Sequence, residues 1–264
     1  MSKKRKSLSR IFIVIFFLVA VALISKISEP SEINPQNTLT ISTDTSSNYN
    51  YQSKSSPNSI NKGNNNSETK EKDNPSMFHS YTIVLDPGHG DYDSGSIGAK
   101  GTLEKDIALD VTLKLGKVLE RKGMKVIYTR EDDTVFSTDI NEDLIARANI
   151  ANKNSADLFI SIHLNCCDSP EVSGTETYYH PASTSGKALA EKVQSEIVKT
   201  RKLADRGVKA DNFLVLRASK APAILVELGY ISNSKDETIL NNSRYQEILA
   251  KAIANGIVTY LEVE

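Results

Sequence analysis

The sequence predicts a single α/β domain with a twisted, mostly parallel sheet that is covered by helices on both faces. Short apolar runs alternate along the chain with longer segments in which apolar residues recur at helical spacing. Glycine, proline and asparagine separate many of these segments. The chain from residue 79 onward, about 186 residues, is also long enough to bury a core without disulfide bonds.

The first half of this domain predicts three strands and two helices. The strands are expected at 81–86, 125–129 and 158–164, and the helices at 104–122 and 142–152. The first helix is expected because Ile107, Val111 and Leu115 share one face and Gly123 follows as a stop signal. Asn141 is a plausible N-cap of the second helix.

The second half predicts three more strands and two more helices. The strands are expected at 175–179, 213–216 and 223–228, and the helices at 185–200 and 243–260. The run at 223–228 is apolar enough to be a central strand. The pattern Ser243-x-x-Gln246 predicts a capping box at the start of the last helix.

The region before the domain divides into two segments. Residues 1–25 combine five Lys and Arg with fourteen apolar residues from Ile11 to Ile24, which is typical of an export signal or a membrane anchor. As a helix the apolar run would span about 21 Å, less than the hydrocarbon core, and Ala20-Val21-Ala22 offers a cleavage site. A short span can still be accommodated, so both alternatives stay open. Residues 26–78 are polar and predict a flexible linker.

Composition limits the functions of the domain at 79–264. It carries 22 Lys and Arg against 27 Asp and Glu, which is no footprint for nucleic acid. The two cysteines, Cys166 and Cys167, are adjacent and therefore too close for an unstrained mutual disulfide. Their closeness to His163 allows a metal-ligand role, although ordinary loop thiols are the simpler interpretation.

Four polar residues stand at the ends of apolar runs or at a helix start. His89 lies in Leu85-Asp86-Pro87-Gly88-His89-Gly90, and His163 ends the run Leu158-Phe159-Ile160-Ser161-Ile162. Glu104 begins the first helix, and Glu227 lies within Ile224-Leu225-Val226-Glu227-Leu228. Strand ends of a parallel sheet form its ligand-binding edge. Two imidazoles and one carboxylate can hold a catalytic zinc ion, and a second carboxylate can carry protons.

Each of these residues also has a structural alternative. Glu104 could serve the helix dipole alone, and Asp106 is its rival as a metal ligand. Glu227 could pair with Arg217 or Lys220, although an unpaired buried carboxylate is costly and favours a functional partner. Asp86 is near enough in sequence to orient the His89 ring.

Together, these segments resemble the zinc-dependent N-acetylmuramoyl-L-alanine amidases of the amidase 3 family. The likeness covers 81–260 and includes Arg147-Ala148-Asn149, Gly207-Val208-Lys209 and Val226-Glu227-Leu228-Gly229-Tyr230. The resemblance implies that zinc is the cofactor, held by His89, Glu104 and His163, and that Glu227 is the catalytic carboxylate. It also suggests Arg147, Asn165 and Arg217 as substrate contacts.

The implied reaction is hydrolysis of the amide between N-acetylmuramic acid and L-alanine in peptidoglycan, by an exported enzyme at the extracytoplasmic membrane face or in the wall. Two departures from relatives are expected to matter: Asp91 stands where many have a second glycine, and no inserted blocking helix is apparent before Glu227. A zinc peptidase acting on the stem peptide and a catalytically silent wall-binding module are the alternative functions. The sequence identifies no activator.

Overall fold

The computed structural model describes residues 80–263, which form one six-stranded sheet. The strands are β1 (Thr82–Pro87), β2 (Lys125–Tyr128), β3 (Leu158–Asn165), β4 (Thr175–Tyr179), β5 (Asp205–Ala210) and β6 (Ala223–Tyr230). Their order is β2-β1-β3-β6-β4-β5. The first four strands in this order are parallel, β4 runs antiparallel to β6, and β5 runs parallel to β4. The predicted fold class is confirmed.

Helices cover both faces of the sheet. They are α1 (Glu104–Arg121), α2 (Ile140–Lys153), α3 (Thr184–Val198), α4 (Leu214–Ala218), α5 (Ser234–Leu240) and α6 (Ser243–Leu261). The larger core cluster packs α1, α3 and α6 against one face, and the smaller cluster packs α2 and α4 against the other. The strands β1, β3 and β6 are almost entirely buried, as expected for a parallel sheet with two covered faces.

The prediction of a strand at 213–216 is wrong, because Leu214–Ala218 is the short helix α4. The run Phe213-Leu214-Val215-Leu216 is apolar without alternation, and such a short run does not distinguish a buried strand from a buried helix. The actual fifth strand is Asp205–Ala210, a polar edge strand that the sequence reasoning did not identify. The short helix α5 was also not predicted.

Two predicted caps differ from those that form. The second helix begins at Ile140, and its N-cap is Asp139, whose carboxylate accepts the backbone N–H groups of Asn141 and Glu142. At the last helix the cap is Asn242, whose side chain accepts the N–H of Tyr245. The capping side chain lies two residues before the predicted one in the second helix and one residue before it in the last helix, so the Ser243 capping box does not form.

The predicted signal or anchor at 1–25 and the linker at 26–78 lie outside the described residues. Within residues 80–263, no helix combines the length and the apolar composition needed to cross a membrane.

Candidate metal centre and active site

His89, Glu104 and His163 converge at the carboxyl edge of the sheet. Glu104 Oε1 lies 3.0 Å from His89 Nε2 and 3.0 Å from His163 Nδ1. One ligand atom from each of the three residues lies within 4.8 Å of the others. His89 follows β1, His163 belongs to β3, and Glu104 is the first residue of α1, so three separate elements supply the group. It could hold a metal ion.

The rival carboxylate and the vicinal cysteines are not part of this group. Asp106 is exposed on α1, whereas Glu104 is 3% exposed. Cys166 is exposed and lines the cavity that contains the three residues. Cys167 is half-buried, and its Sγ lies near the carbonyl oxygen of Ser169.

Glu104 is held by four hydrogen-bonding neighbours. Besides the two imidazoles, its Oε1 accepts the N–H of Leu164 and its Oε2 accepts the N–H of Ser96. Burial alone would raise the pKa of this carboxyl, but hydrogen bonds and charge attraction from His163 and His89 lower it well below its usual range. The Glu104 carboxylate is therefore anionic, which is the form that a metal site requires.

The orientation of His89 depends on Asp93 rather than Asp86, which corrects the sequence interpretation. A hydrogen bond of 2.8 Å joins His89 Nδ1 and Asp93 Oδ2, which leaves Nε2 directed at Glu104. Burial would lower the pKa of His89, but its hydrogen bonds to Asp93 and Glu104 raise that pKa to about 9. Such a carboxylate on the second ring nitrogen fixes the tautomer of a ligating histidine.

Asp86 instead anchors a buried ion pair with Arg147. Its carboxylate accepts the hydroxyls of Thr129 and Ser161 at 2.7 Å, and Arg147 Nη1 lies 3.1 Å from Oδ1. Burial would raise the pKa of Asp86, but Arg147 and the two hydroxyls lower it. The carboxylate is therefore charged beneath the site.

Arg147 supports the His89 loop from below, and its role as a substrate contact stays a prediction. The residue is 1% exposed, and its guanidinium is committed to Asp86, Asp143 and the carbonyls of Pro87 and His89. Arg130 also holds this loop, donating to the carbonyls of Pro87 and Gly88. These bonds fix a segment in which His89 has the unusual φ of 62°.

Two glycines allow the ligand side chains to pack against the loop. A Cβ on Gly88 would lie 2.2 Å from His163 Cε1, and a Cβ on Gly95 would lie 2.7 Å from both Glu104 Oε2 and His89 Cδ2. Gly95 also has a φ of 63°.

The spacing of the three residues suits a zinc ion. Ligand atoms of a tetrahedral zinc ion lie about 2.0–2.2 Å from the metal and therefore about 3.3 Å from each other. The distances from Glu104 Oε1 to the two imidazole nitrogens, 3.0 Å each, are close to this value. The three residues fit such an ion.

Glu227 pairs with His163 across β3 and β6, which places both side chains on the same face. Its Oε2 is buried and has no hydrogen-bond partner among the described residues. Burial, together with the charges of Glu104 and Glu176, raises its pKa well above the usual value. The alternative pairing with Arg217 or Lys220 is not formed. Glu227 is thus an unpaired carboxylate beside the three ligands.

A cavity of about 440 Å³ contains the group. One wall is apolar and comes from α2 and the α4 segment, including Ile140, Leu144, Phe213 and Leu214. Asn165 also lines this cavity, and its Nδ2 donates to Glu176 Oε1 at 2.7 Å. This position is compatible with the predicted substrate contact.

Arg217 lies elsewhere. It lines a separate cavity of about 280 Å³ together with His180 and Lys220, and its Nη1 donates to the carbonyl of Asn212. Its role as a substrate contact stays a prediction.

The sequence reasoning missed Asp93, Ser96 and Glu176. An acidic residue four positions after His89 in a glycine-rich loop was a usable signal for Asp93. For Glu176 the signal was a lone carboxylate within the strand Thr175–Tyr179. Ser96 acts through its backbone N–H, for which the sequence carries no signal.

Comparisons with known proteins identify relatives of the whole described region. The family profile described as N-acetylmuramoyl-L-alanine amidase matches residues 83–259. The amidase LytC of Bacillus subtilis (strain 168) is 40% identical over 181 residues, which are 68% of this chain and 35% of LytC. The probable cell wall amidase LytH of Staphylococcus aureus is 38% identical over 194 residues, 73% of this chain and 61% of LytH.

A solved amidase structure is also similar to this chain. The CwlD amidase from Clostridioides difficile, solved in complex with the GerS lipoprotein, has a TM-score of 0.65 and 37% identity, and the match covers 70% of this chain and 100% of that chain. The matched region thus equals a complete solved chain, whereas it spans about a third of LytC and three fifths of LytH.

Proposed function

Because the chain belongs to the amidase 3 family of N-acetylmuramoyl-L-alanine amidases, we propose that it hydrolyses the amide bond between N-acetylmuramic acid and L-alanine in peptidoglycan. The observation that carries this proposal is the unpaired, buried carboxylate of Glu227 beside the convergent group His89, Glu104 and His163. A binding module would gain nothing from burying such a group, since an unpaired carboxyl costs free energy.

His89 Nε2, Glu104 Oε1 and His163 Nδ1 would hold a zinc ion. When bound, zinc polarises the amide carbonyl and makes the attacking water more acidic. Asp93 keeps His89 Nε2 available by occupying Nδ1. Arg147 and Arg130 hold the loop carbonyls and thereby fix the position of the imidazole.

Glu227 would take the proton of the attacking water and deliver it to the departing L-alanine nitrogen. Burial and the negative charges of Glu104 and Glu176 raise the pKa of Glu227, which makes its carboxylate a stronger base towards that water. Asn165, at the edge of the cavity, is placed to contact the substrate.

The relatives and the sequence support a proposed location and a proposed partner. LytH is described as a cell wall amidase, and we propose that this chain is likewise exported, through its segment at 1–25, and acts at the extracytoplasmic membrane face or in the wall. Whether that segment is retained as an anchor or cleaved leaves the chemistry unchanged. The complex of CwlD with a lipoprotein makes a protein partner a reasonable proposal here also.

The test is mass spectrometry of solubilised peptidoglycan after digestion with the purified protein. We expect free stem peptides that begin with an L-alanine amine. Cleavage within the stem peptide would instead indicate the peptidase alternative, and intact muropeptides in the presence of bound zinc would indicate the silent module.

The Glu227→Gln variant tests the proton carrier, because glutamine keeps the shape and removes the base. Turnover should fall by about 10²-fold to 10⁴-fold, the usual contribution of general acid–base catalysis, while zinc content stays unchanged. Glu247→Gln makes the same chemical change at an exposed position of α6 and should have normal turnover. Loss of zinc from Glu227→Gln would identify Glu227 as a ligand, and near-normal turnover would assign proton transfer to another residue.

A further inference from the structure

A cluster of charged side chains lies beyond Glu227, outside the metal group. The carboxylate of Glu176 is 1% exposed, and its Oε2 accepts hydrogen bonds from Arg206 Nε at 3.0 Å and from Lys209 Nζ. Its Oε1 accepts the hydroxyls of Tyr178 and Tyr230 as well as Asn165 Nδ2. One buried anion therefore fixes two cations, and the group has a surplus of positive charge.

An irregularity in β5 places both cations on one face. Between the pairs Thr175↔Asp205 and Thr177↔Val208, β5 contains one residue more than β4. In a regular strand, residues three apart point to opposite faces. The extra residue, at Arg206-Gly207, reverses this alternation, so that Arg206 and Lys209 both reach Glu176. Gly207 has a φ of 79°, which glycine adopts without strain.

The cluster continues a row that begins at the metal group. His163 pairs with Glu227 across β3 and β6, and Glu227 pairs with Glu176 across β6 and β4. Directly paired residues lie on the same face. Since neighbouring strands are about 4.8 Å apart, β5 and its two cations lie about 10 Å from the strand of Glu227.

The direction of the row indicates which half of the substrate would approach it. Under the proposed function, Glu227 protonates the departing nitrogen, so the peptide leaves on the Glu227 side of the metal group. An extended peptide advances about 3.5 Å per residue, which places its second residue about 7 Å from that nitrogen. The flexible stems of Arg206 and Lys209 can cover the remaining distance.

We propose that Arg206 and Lys209, held in place by Glu176, form a subsite that binds the free carboxylate of the second residue of the stem peptide. This inference rests on the proposed function and assigns to the site a preference for an anionic peptide over its amidated form. The two side chains are 35% and 37% exposed, so each can reach a ligand while bound to Glu176.

The chemistry of the cluster suits a carboxylate. Arginine and lysine form charge-assisted hydrogen bonds with carboxylates, which are stronger than bonds between neutral groups. The guanidinium of Arg206 also lies over the ring of Tyr230, 5.0 Å from its centroid, and Lys209 lies 5.8 Å from the centroid of Tyr178. These contacts restrict the cations before substrate binds and so reduce the entropic cost of binding.

The experiment compares two synthetic substrates, N-acetylmuramoyl-L-alanyl-D-isoglutamate with a free carboxylate and its isoglutamine counterpart. The wild type should have a higher kcat/KM for the free acid. The double variant Arg206→Gln, Lys209→Met should lose about 10-fold to 100-fold in kcat/KM for the free acid, the range expected for charge-assisted hydrogen bonds. For the amidated substrate the change should stay within about threefold.

Binding of the product dipeptide provides a readout that does not need turnover. In an NMR titration, L-alanyl-D-isoglutamate should bind the wild type more tightly than its amide does, and the double variant should lose that difference. Lys209→Arg keeps the charge and should keep most of the preference. Lys125→Met, at an exposed position of the opposite edge strand β2, is the matched control and should behave as wild type.

Two results would overturn the subsite: an equal loss on both substrates with an unchanged thermal midpoint, or no loss on either. Failure of the wild type to cleave either substrate would contradict the proposed function instead. The dipeptide titration would then still decide whether the cations bind a carboxylate.

Discussion

At the residue scale, the metal group rests on three side chains from three separate elements. A site with three protein ligands loses much of its affinity when one is removed, because the remaining two cannot complete the coordination. We therefore expect His89→Ala, His163→Ala and Glu104→Ala each to lose zinc on dialysis while remaining folded. Metal analysis of the dialysed proteins measures this directly.

Asp106→Ala is the matched control for Glu104→Ala. Both residues are acidic and lie in the first turn of α1, but only Glu104 points into the group. The control should keep full zinc content. Zinc loss from Asp106→Ala, or full occupancy in both histidine variants, would show that the ligands are assigned wrongly.

The buried pair Asp86–Arg147 predicts a pH-dependent stability. The folded-state pKa of Asp86 is lowered, so its contribution is present above its unfolded pKa, about 3.9, and is lost as the pH falls further. Removing one partner of a buried pair typically costs about 3–5 kcal/mol. We expect Asp86→Asn to lower the free energy of unfolding by about that amount at pH 7, in chemical denaturation.

The difference between wild type and Asp86→Asn should then shrink as the pH falls from about 4 to 2. Asp110→Asn is the control, since Asp110 is exposed and its Lys114 partner lies 3.9 Å away; it should cost little at any pH. A difference for Asp86→Asn that stays constant across the range would mean that Asp86 does not titrate with a lowered pKa in the folded state.

Individual residues differ in how far the sequence predicted them. His163 and Glu227 stand in buried strands that have no structural need for polar groups, and His89 stands in Pro87-Gly88-His89-Gly90 just after a strand. These signals predicted that the three residues lie at the same edge of the sheet. Arg147 carried no such signal, because a cation on a helix face reads equally well as a surface or a substrate-binding residue. Only its burial and its bonds to Asp86 and Asp143 reveal the supporting role.

At the element scale, α3 and α6 pack closely against each other at Gly256. A Cβ added to Gly256 would lie 2.5 Å from Val193 Cα and 2.9 Å from Val193 N. Both are backbone atoms, so the helices must separate to admit a methyl group. Overpacking costs about 1–3 kcal/mol, while alanine gains up to about 1 kcal/mol in helix propensity. We expect Gly256→Ala to lower the free energy of unfolding by about 1–2 kcal/mol in urea denaturation.

Asn255→Ala provides the control at the neighbouring, exposed position of α6. It also introduces alanine but meets no packed helix, so stability should stay the same or rise by about 0.5 kcal/mol. Equal stability of Gly256→Ala and wild type would mean that separating the two helices costs no more than the gain of about 1 kcal/mol in helix propensity.

The elements that the sequence predicted well are those with strong periodicity. The strand at 175–179 and the helix beginning at Glu104 agree with the structure, and the central strands differ by one or two residues. The edge strand Asp205–Ala210 was missed because it lacks an apolar face, and its pairing with β4 is a tertiary property. The apolar run after Asn212 is a helix rather than a strand, and so short a run does not reveal this from sequence alone.

At the scale of the whole molecule, both core clusters and the active-site cavity lie within residues 80–263. The two faces of the sheet have different tasks. The face with α1, α3 and α6 holds the larger core. The other face, with α2 and α4, has a smaller core and supplies the apolar wall of the cavity. This division provides stability on one side and an open binding edge on the other.

The last prediction follows from this organisation. Residues 79–264, expressed alone, should be soluble and folded, because residues 80–263 contain both core clusters and a chain of this length can bury a core large enough for independent stability. They should also release peptides that begin with L-alanine from soluble muropeptides at the rate of the longer protein.

On intact walls the longer protein should act faster than the fragment, since a tether raises the local concentration of enzyme at its substrate. Rates on both substrates, measured side by side, separate these effects. A folded fragment that is inactive on soluble muropeptides would show that residues before 79 take part in the chemistry.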